Sequence, residues 1–351
     1  MEHNNTASGA KVSISTDIAN VSDDKIQAIG NELESKLVND IDEYEIDLSV
    51  EYPEPKFTLS ITGVGTLPRG DIQAIKAKSK NGKSFLCSVF ISSLFGCNDF
   101  GFITKETAPV ALYFDTEQNK RNTARLMKCV HTLLDWDIKK NRNEFHVYAL
   151  RTMEMQSRLP YIERVIKERK PTIAFIDGIA DLIQNFNDVE QSTQLINGLM
   201  KLSGENDCCV CCVLHTNKGK DDSSMKGHLG TMLLQKASDV FEVIKNGNTF
   251  NVTETDCRNQ PVEDFAFSID GHGIPMPAAT QKDSREQQRV EGITKNLKEV
   301  FADAGELSFN EFVKAYALIA AVSESTAKRV IRISREKNLI NVTPNGKYSL
   351  S

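Results

Sequence analysis

The chain is 351 residues long, 40% apolar and 26% charged, a balance that excludes wholesale disorder and gives room for two domains or one large domain with appendages. Its net charge of −6 is uneven: residues 1–55 hold three lysines against thirteen acids, whereas residues 284–351 hold eleven basic residues against eight acids, so only the C-terminal end leans towards a polyanion. No apolar run is longer than eight residues, far short of the ~20 that cross a bilayer, and the first residues lack the basic and apolar regions of a secretory leader; a cytoplasmic protein with no membrane partner is expected.

Residues 1–55 read as an acidic segment, disordered over its first part, with one helical pattern near Lys25–Ile41 and the character of a tether, small lid or partner-docking tail. Residues 56–274 alternate short apolar runs with amphipathic stretches. Strands are expected at Ile72–Ala77, Val110–Phe114, Phe145–Leu150, Thr172–Ile176 and Cys209–Leu214, and helices at Lys83–Leu94, Lys120–Leu134, Leu159–Lys167 and Glu190–Leu202. Such alternation predicts an α/β fold with a parallel sheet covered on both faces. Thr249–Glu254 and Phe265–Ile269 read as a hairpin closing the sheet edge, and residues 275–288 as a linker.

Within the run Cys208–Leu214, strand alternation sends Cys208 and Cys212 to the face opposite Cys209 and Cys211. Four thiols so divided cannot converge on a tetrahedral zinc, so buried structural cysteines are expected.

Residues 289–351 form a separate unit. Ile293, Leu297 and Phe301 mark one helix, and Phe309, Phe312, Val313 and Tyr316 a second. A third opens at the polar cluster Ser323–Thr326, with Ala327, Val330, Ile331 and Ile333 along it. Two short strands follow around Asn345-Gly346. Three helices and a hairpin is the order of a small winged helix-turn-helix domain.

The sharpest motif is Ala77-Lys-Ser-Lys-Asn-Gly-Lys-Ser84, lying between an expected strand and an expected helix. There the backbone N–H groups of a loop and the positive end of a helix dipole can cradle phosphates. Ala77, Lys80, Asn81, Gly82, Lys83, Ser84 and Phe85 are the candidate nucleotide-binding residues; Lys83 would neutralise the β- and γ-phosphates of ATP, and Ser84 would hold Mg²⁺. Alanine at the first position predicts an ordinary, negative φ there.

Two further strands end in acids, Val110–Glu117 and Thr172–Asp177. A parallel sheet gathers such ends at its carboxyl edge, where ligands bind. Asp177 suits a carboxylate on Mg²⁺. Glu117 suits the base that deprotonates an attacking water, with Asp115 the competing candidate; for Glu117 and Asp177 alike, capping the following helix is the alternative.

With these motifs in order, the chain resembles the RecA-like P-loop ATPases, and within them the RepA-like hexameric helicases of the AAA_25 type. The resemblance covers residues 56–274 and rests on the phosphate loop, YFDTEQN, FIDGIADL, VLHTNKG and MKGHLGT. It implies a RecA-like sheet flanked by helices, ATP hydrolysis, and a homo-oligomer, expected as a ring, whose site is completed by a neighbour. It also implies that His215 senses the γ-phosphate and that Lys226 and Arg258 are candidate trans-acting cations. Asp256 stands where related ring helicases carry the lysine of a Lys-x-Arg pair, and His228-Leu229 where they carry two serines. The polar loop after His215 would face DNA through Lys218 and Lys220, or else be a solvated loop.

In a helix-turn-helix the second helix of the pair enters the major groove. Here that helix would offer Ser325, Thr326, Lys328, Arg329 and Arg332, and Lys347 at the hairpin tip would touch phosphate; a protein-contact role is the alternative. The reading that follows is an Mg-dependent ATPase acting on DNA, of the kind used as a replicative helicase by plasmids, phages or mobile elements. The competing reading is an ATP-switched DNA-binding or scaffold protein without helicase activity.

Overall fold

The computed structural model describes residues 45–217, 224–302 and 304–351. The expected helix at Lys25–Ile41 and the loop lysines Lys218 and Lys220 lie outside them. The chain divides into two units, Met1–Glu54 and Pro55–Ser351. In the first, the Asp47 carboxylate accepts from the Ser49 amide at 2.8 Å.

The second unit opens with a small antiparallel sheet of β1 (Phe57–Ile61), β2 (Val64–Pro68) and β4 (Phe102–Ile103) in the order β2-β1-β4. The main sheet contains β3 (Ile72–Ala77), β5 (Ala111–Asp115), β6 (Phe145–Ala149), β7 (Ile173–Asp177), β8 (Cys209–His215), β9 (Asp239–Asn246), β10 (Thr249–Cys257), β11 (Phe265–Ile269) and β12 (Pro275–Ala278). Its order is β12-β11-β10-β9-β3-β8-β7-β5-β6. From β9 to β6 all neighbours are parallel; β10, β11 and β12 extend it antiparallel. This is a RecA-like, mostly parallel sheet.

Helices cover both faces, because strands buried on two sides need apolar cover on both. Helices α1 (Lys83–Leu94) and α2 (Lys120–Leu133) pack on the face of Ile75, Tyr113, Phe175 and Val213. Helices α3 (Met155–Arg169), α4 (Val189–Glu205) and α5 (Gly227–Lys236) pack on the face of Ala74, Leu112, Ile176 and Val210. The four cysteines of β8 and its approach divide as alternation requires: Cys209 and Cys211 join the first core, Cys208 and Cys212 the second. All are buried free thiols, and burial pushes Cys208 and Cys212 up to about 12.

Several boundaries differ from expectation. Helix α3 starts four residues before Leu159 and carries Pro160 inside it. The expected edge hairpin, β10 and β11, is part of a three-strand antiparallel extension built on β9, a strand the sequence did not reveal. Glu242 interrupts its apolar run, and that charge is met by Lys76 at 3.8 Å. Residues 275–288 are not a linker: Pro275–Ala278 pairs with β11, and α6 (Gln281–Val300) begins at Gln281. Helix α5, with two glycines in ten residues, also escaped the periodicity reading, since glycine lowers helix propensity.

Beyond β12 follow α6, α7 (Phe309–Ile319), α8 (Glu324–Glu336) and the hairpin β13 (Ile340–Val342) with β14 (Tyr348–Leu350). They carry a core of their own, centred on Leu297, Phe312, Tyr316, Ala327 and Ile331. A capping box between Ser308 and Glu311 starts α7, and the Ser323 side chain accepts from the Thr326 amide to start α8.

Candidate active site

The carboxyl edge of the parallel strands gathers the site. Ala77 pairs with His215 across β3 and β8, and Asp115 with Asp177 across β5 and β7, so four functional strand ends lie side by side. From Ala77, whose φ is not positive, the chain loops through Lys80 and Gly82 into α1. Gly82 has φ +85°, and a Cβ there would lie 2.4 Å from the Phe250 ring. Only glycine meets both conditions. Phe250, on β10, stacks on Phe267 with ring centroids 5.0 Å apart, so the antiparallel extension buttresses the phosphate loop.

Lys83 is 7% exposed. Its ammonium donates to His215 Nδ1 at 2.7 Å. An ammonium can only donate, which leaves the imidazole proton on Nε2, facing Glu117 Oε2 at 3.3 Å. Burial pulls the Lys83 ammonium below its ordinary range, opposed by the charges of Asp177 and Glu117. The hydrogen bond from His215 holds the Glu117 carboxyl below its ordinary value, against burial.

Ser84 Oγ donates to Asp177 Oδ2 at 2.7 Å, and Tyr113 donates to the same oxygen. Burial raises the Asp177 carboxyl, and those two donors oppose the rise. A serine hydroxyl beside a carboxylate is an all-oxygen donor pair of the kind Mg²⁺ takes together with substrate phosphates. Among the described residues no cluster of three His, Cys, Asp or Glu side chains could hold a metal alone.

The two acids that end β5 separate cleanly. Asp115 is fully buried; its Oδ1 accepts from the amides of Glu117 and Gln118, and its Oδ2 from the Thr123 hydroxyl at 2.7 Å. Both oxygens are spent on the turn that leads into α2, whose N-cap is Asn119. Glu117 reaches the cleft, its side chain 38% exposed, across Gly178 at φ +98°.

These residues line a cleft of about 1030 Å³ that runs from Asp177, Glu117 and His215, along the phosphate loop, to Arg125, Lys128 and Thr132 of α2 and the turn Asp270–Ile274. Of the expected residues, Lys80, Asn81, Gly82, Lys83, Ser84, Phe85, Glu117, Asp177 and His215 line it. Lys226 caps α5, with its ammonium 4.2 Å from the centre of the Phe186 ring, and its charge contributes to lowering Glu117. Arg258 is elsewhere. It follows Cys257, which pairs with Asp239 at the amino edge of the sheet, and its guanidinium donates to the Lys236 carbonyl at 2.9 Å.

Among the C-terminal helices and hairpin, Ser325, Lys328, Arg329 and Arg332 are exposed on α8, Thr326 is half-buried within the Ser323 hydroxyl cluster, and Lys347 is exposed before β14. Sequence reasoning missed Tyr113, Thr116, Gly178, Phe250 and the Asp270–Ile274 turn. The first three adjoin recognised motifs; nothing local to Phe250 or the turn marks them as facing the loop.

Sheet order, phosphate loop and strand-end carboxylates together define a RecA-like P-loop ATPase. Residues 54–221 match the model of the AAA_25 family, described as an AAA domain. Among solved structures, the chain is similar to one described as an ATPase domain, with 15% identity, TM-score 0.46, and coverage of 60% of this chain and 86% of that one. It is also similar to the KaiC-like protein PH0186 of the archaeon Pyrococcus horikoshii OT3, with 16% identity, TM-score 0.43, and coverage of 61% and 92%. No curated protein matches in sequence. No helix among the described residues is long and apolar enough to cross a membrane.

Proposed function

We propose that this ATPase hydrolyses Mg·ATP as an oligomer acting on DNA, in the manner of a RepA-like replicative helicase. The observation that carries the hydrolytic part is the convergence of Lys83, Ser84, Asp177, Glu117 and His215 on one cleft.

The loop amides and the amino end of α1 bind the phosphates. On nucleotide binding the Lys83 ammonium exchanges His215 for phosphate oxygens, a trade that its buried, partly desolvated state favours. Glu117, held anionic, accepts the proton of the attacking water. His215, released at Nδ1, presents its Nε2 proton between Glu117 and the terminal phosphate. Ser84 and Asp177 are the residues that would hold Mg²⁺, which when bound neutralises phosphate charge and polarises the breaking bond.

Arg258, on the far edge of the sheet from its own cleft, is a candidate to reach a neighbouring subunit's site, and Lys226 is the second trans candidate. A ring or filament in which each subunit completes the next follows from such a heterologous contact. The order of α6, α7, α8 and the hairpin supports a winged-helix reader for residues 289–351, with Lys328, Arg329 and Arg332 on its outer face. Residues 1–55 would then serve as a docking tail for a protein partner, and a plasmid, phage or mobile element is the natural setting.

ATP turnover with and without single- and double-stranded DNA, mass in ATP, and strand displacement test this reading. Lys83→Ala should abolish turnover and displacement together. Wild-type turnover in Lys83→Ala would remove the phosphate-loop assignment; DNA-stimulated turnover without displacement would replace the helicase by an ATP-switched DNA-binding protein.

A further inference from the structure

We propose that Tyr113 is a positioning residue that fixes the Asp177 carboxylate for magnesium. The proposal rests on the Mg·ATP reading above but concerns a residue outside the phosphate loop and the strand-end acids. Tyr113 lies on β5, two residues before Asp115, and its ring is wholly buried in the core beneath α1. It packs beside Phe175 at 6.5 Å between ring centres. Phenylalanine fills the equivalent packing role at Phe175 on the same face, and it would avoid burying a hydroxyl, which is costly without a partner. The Tyr113 hydroxyl donates to Asp177 Oδ2.

The geometry gives that bond a purpose. Ser84 approaches Oδ2 from α1, and Tyr113 approaches it from the adjoining strand, so one carboxylate oxygen is held by two donors on separate elements. Among the described residues Oδ1 has no hydrogen-bond donor. The carboxylate is therefore fixed in rotation about χ2, a torsion that is otherwise broad, while one oxygen stays uncommitted. With Ser84 alone, the carboxylate could turn about a single contact, and Ser84 is itself one of the groups the metal would engage.

Tyr113→Phe removes one oxygen atom and leaves the ring. The measurement is calorimetric affinity for ADP in the full-length chain, once with Mg²⁺ and once with EDTA. Loss of a hydrogen bond to a charged group should weaken binding of Mg·ADP by about ten- to hundredfold, with metal-free ADP affinity unchanged within threefold. In an Asp177→Asn background the same substitution should change Mg·ADP affinity by less than threefold, because the carboxylate it positions is gone. Equal weakening with and without Mg²⁺, or the full loss persisting beside Asp177→Asn, would make Tyr113 a packing residue and overturn the proposal. So would a Tyr113→Phe chain whose Mg·ADP affinity matches the wild type. If the wild-type chain binds ADP under neither condition, the nucleotide reading itself fails, a result separate from any of these.

Discussion

Gly178→Ala should disable hydrolysis while sparing nucleotide binding. A Cβ at this position would lie 2.2 Å from Thr116 Oγ1 and 2.7 Å from Glu117 Cγ, at a backbone φ of +98°. The two neighbours do not yield equally. Thr116 is 2% exposed, and its hydroxyl lies within 3.1 Å of three acceptors, the carbonyls of Asp177 and Gly178 and the Asp181 carboxylate. Glu117 is more than a third exposed and held by one bond to His215 at 3.3 Å. Glu117 therefore moves. Left-handed strain of about 1–2 kcal/mol and overpacking of about 1–3 kcal/mol predict a fall in Tm of roughly 4–20 °C for a domain of this size. Displacing a general base predicts a loss of ~10²–10⁴ in turnover, read in a steady-state phosphate-release assay below the new Tm. ADP affinity should stay within threefold of wild type, since Lys83 and Ser84 are untouched. Turnover within threefold of wild type would show that Glu117 does not act from across Gly178, and would refute the assignment of the base.

Glu117→Gln should bind ATP as the wild type does and hydrolyse it ~10²–10⁴ more slowly; because both Asp115 oxygens are already occupied, no neighbouring acid should compensate, and normal turnover would disprove that. Replacing Lys328, Arg329 and Arg332 by alanine together should reduce the slope of log affinity for duplex DNA against log salt by up to about 2.7, leaving DNA-independent turnover intact; an unchanged slope would assign α8 to a protein contact. Glu254, whose carboxylate accepts from the Val262 amide at 2.7 Å, is pushed up to about 7 by burial, with Asp239 adding to the rise. Between its unfolded value of 4.5 and about 7, the folded chain holds a proton that the unfolded chain has lost, so this contribution favours folding at low pH and disappears as pH rises through about 7. Glu254→Gln should gain Tm relative to wild type between pH 5 and pH 8, and a constant difference would show that Glu254 does not titrate there.

What the sequence made legible was local or periodic. β3, α1 and the carboxylate ends of β5 and β7 follow from alternation, capping and one short motif, because each is decided within about a dozen residues. The segments that went unread are those whose stability comes from distant partners. β9 carries a charge in mid-strand that only Lys76 of β3 explains. β12 is proline-rich and reads as a linker, yet proline is tolerated on an edge strand, and β12 is the edge. Phe250 looks like one more core aromatic until the sheet order brings β10 beside the phosphate loop.

Asp115 and Glu117 make the same point inside the site. They are two residues apart on one strand end, and residue type alone cannot rank them as bases. The fold ranks them by hydrogen bonding. Asp115 accepts from two amides and the Thr123 hydroxyl, which consumes a carboxylate that must stay buried. Glu117 is left with one side-chain donor, an exposed face, and the space that a glycine at 178 leaves beneath it. The same neighbours that exclude Asp115 from chemistry hold the start of α2, and so set where Glu117 stands. A buried structural acid and a base can thus be neighbours because one fixes the backbone from which the other reaches.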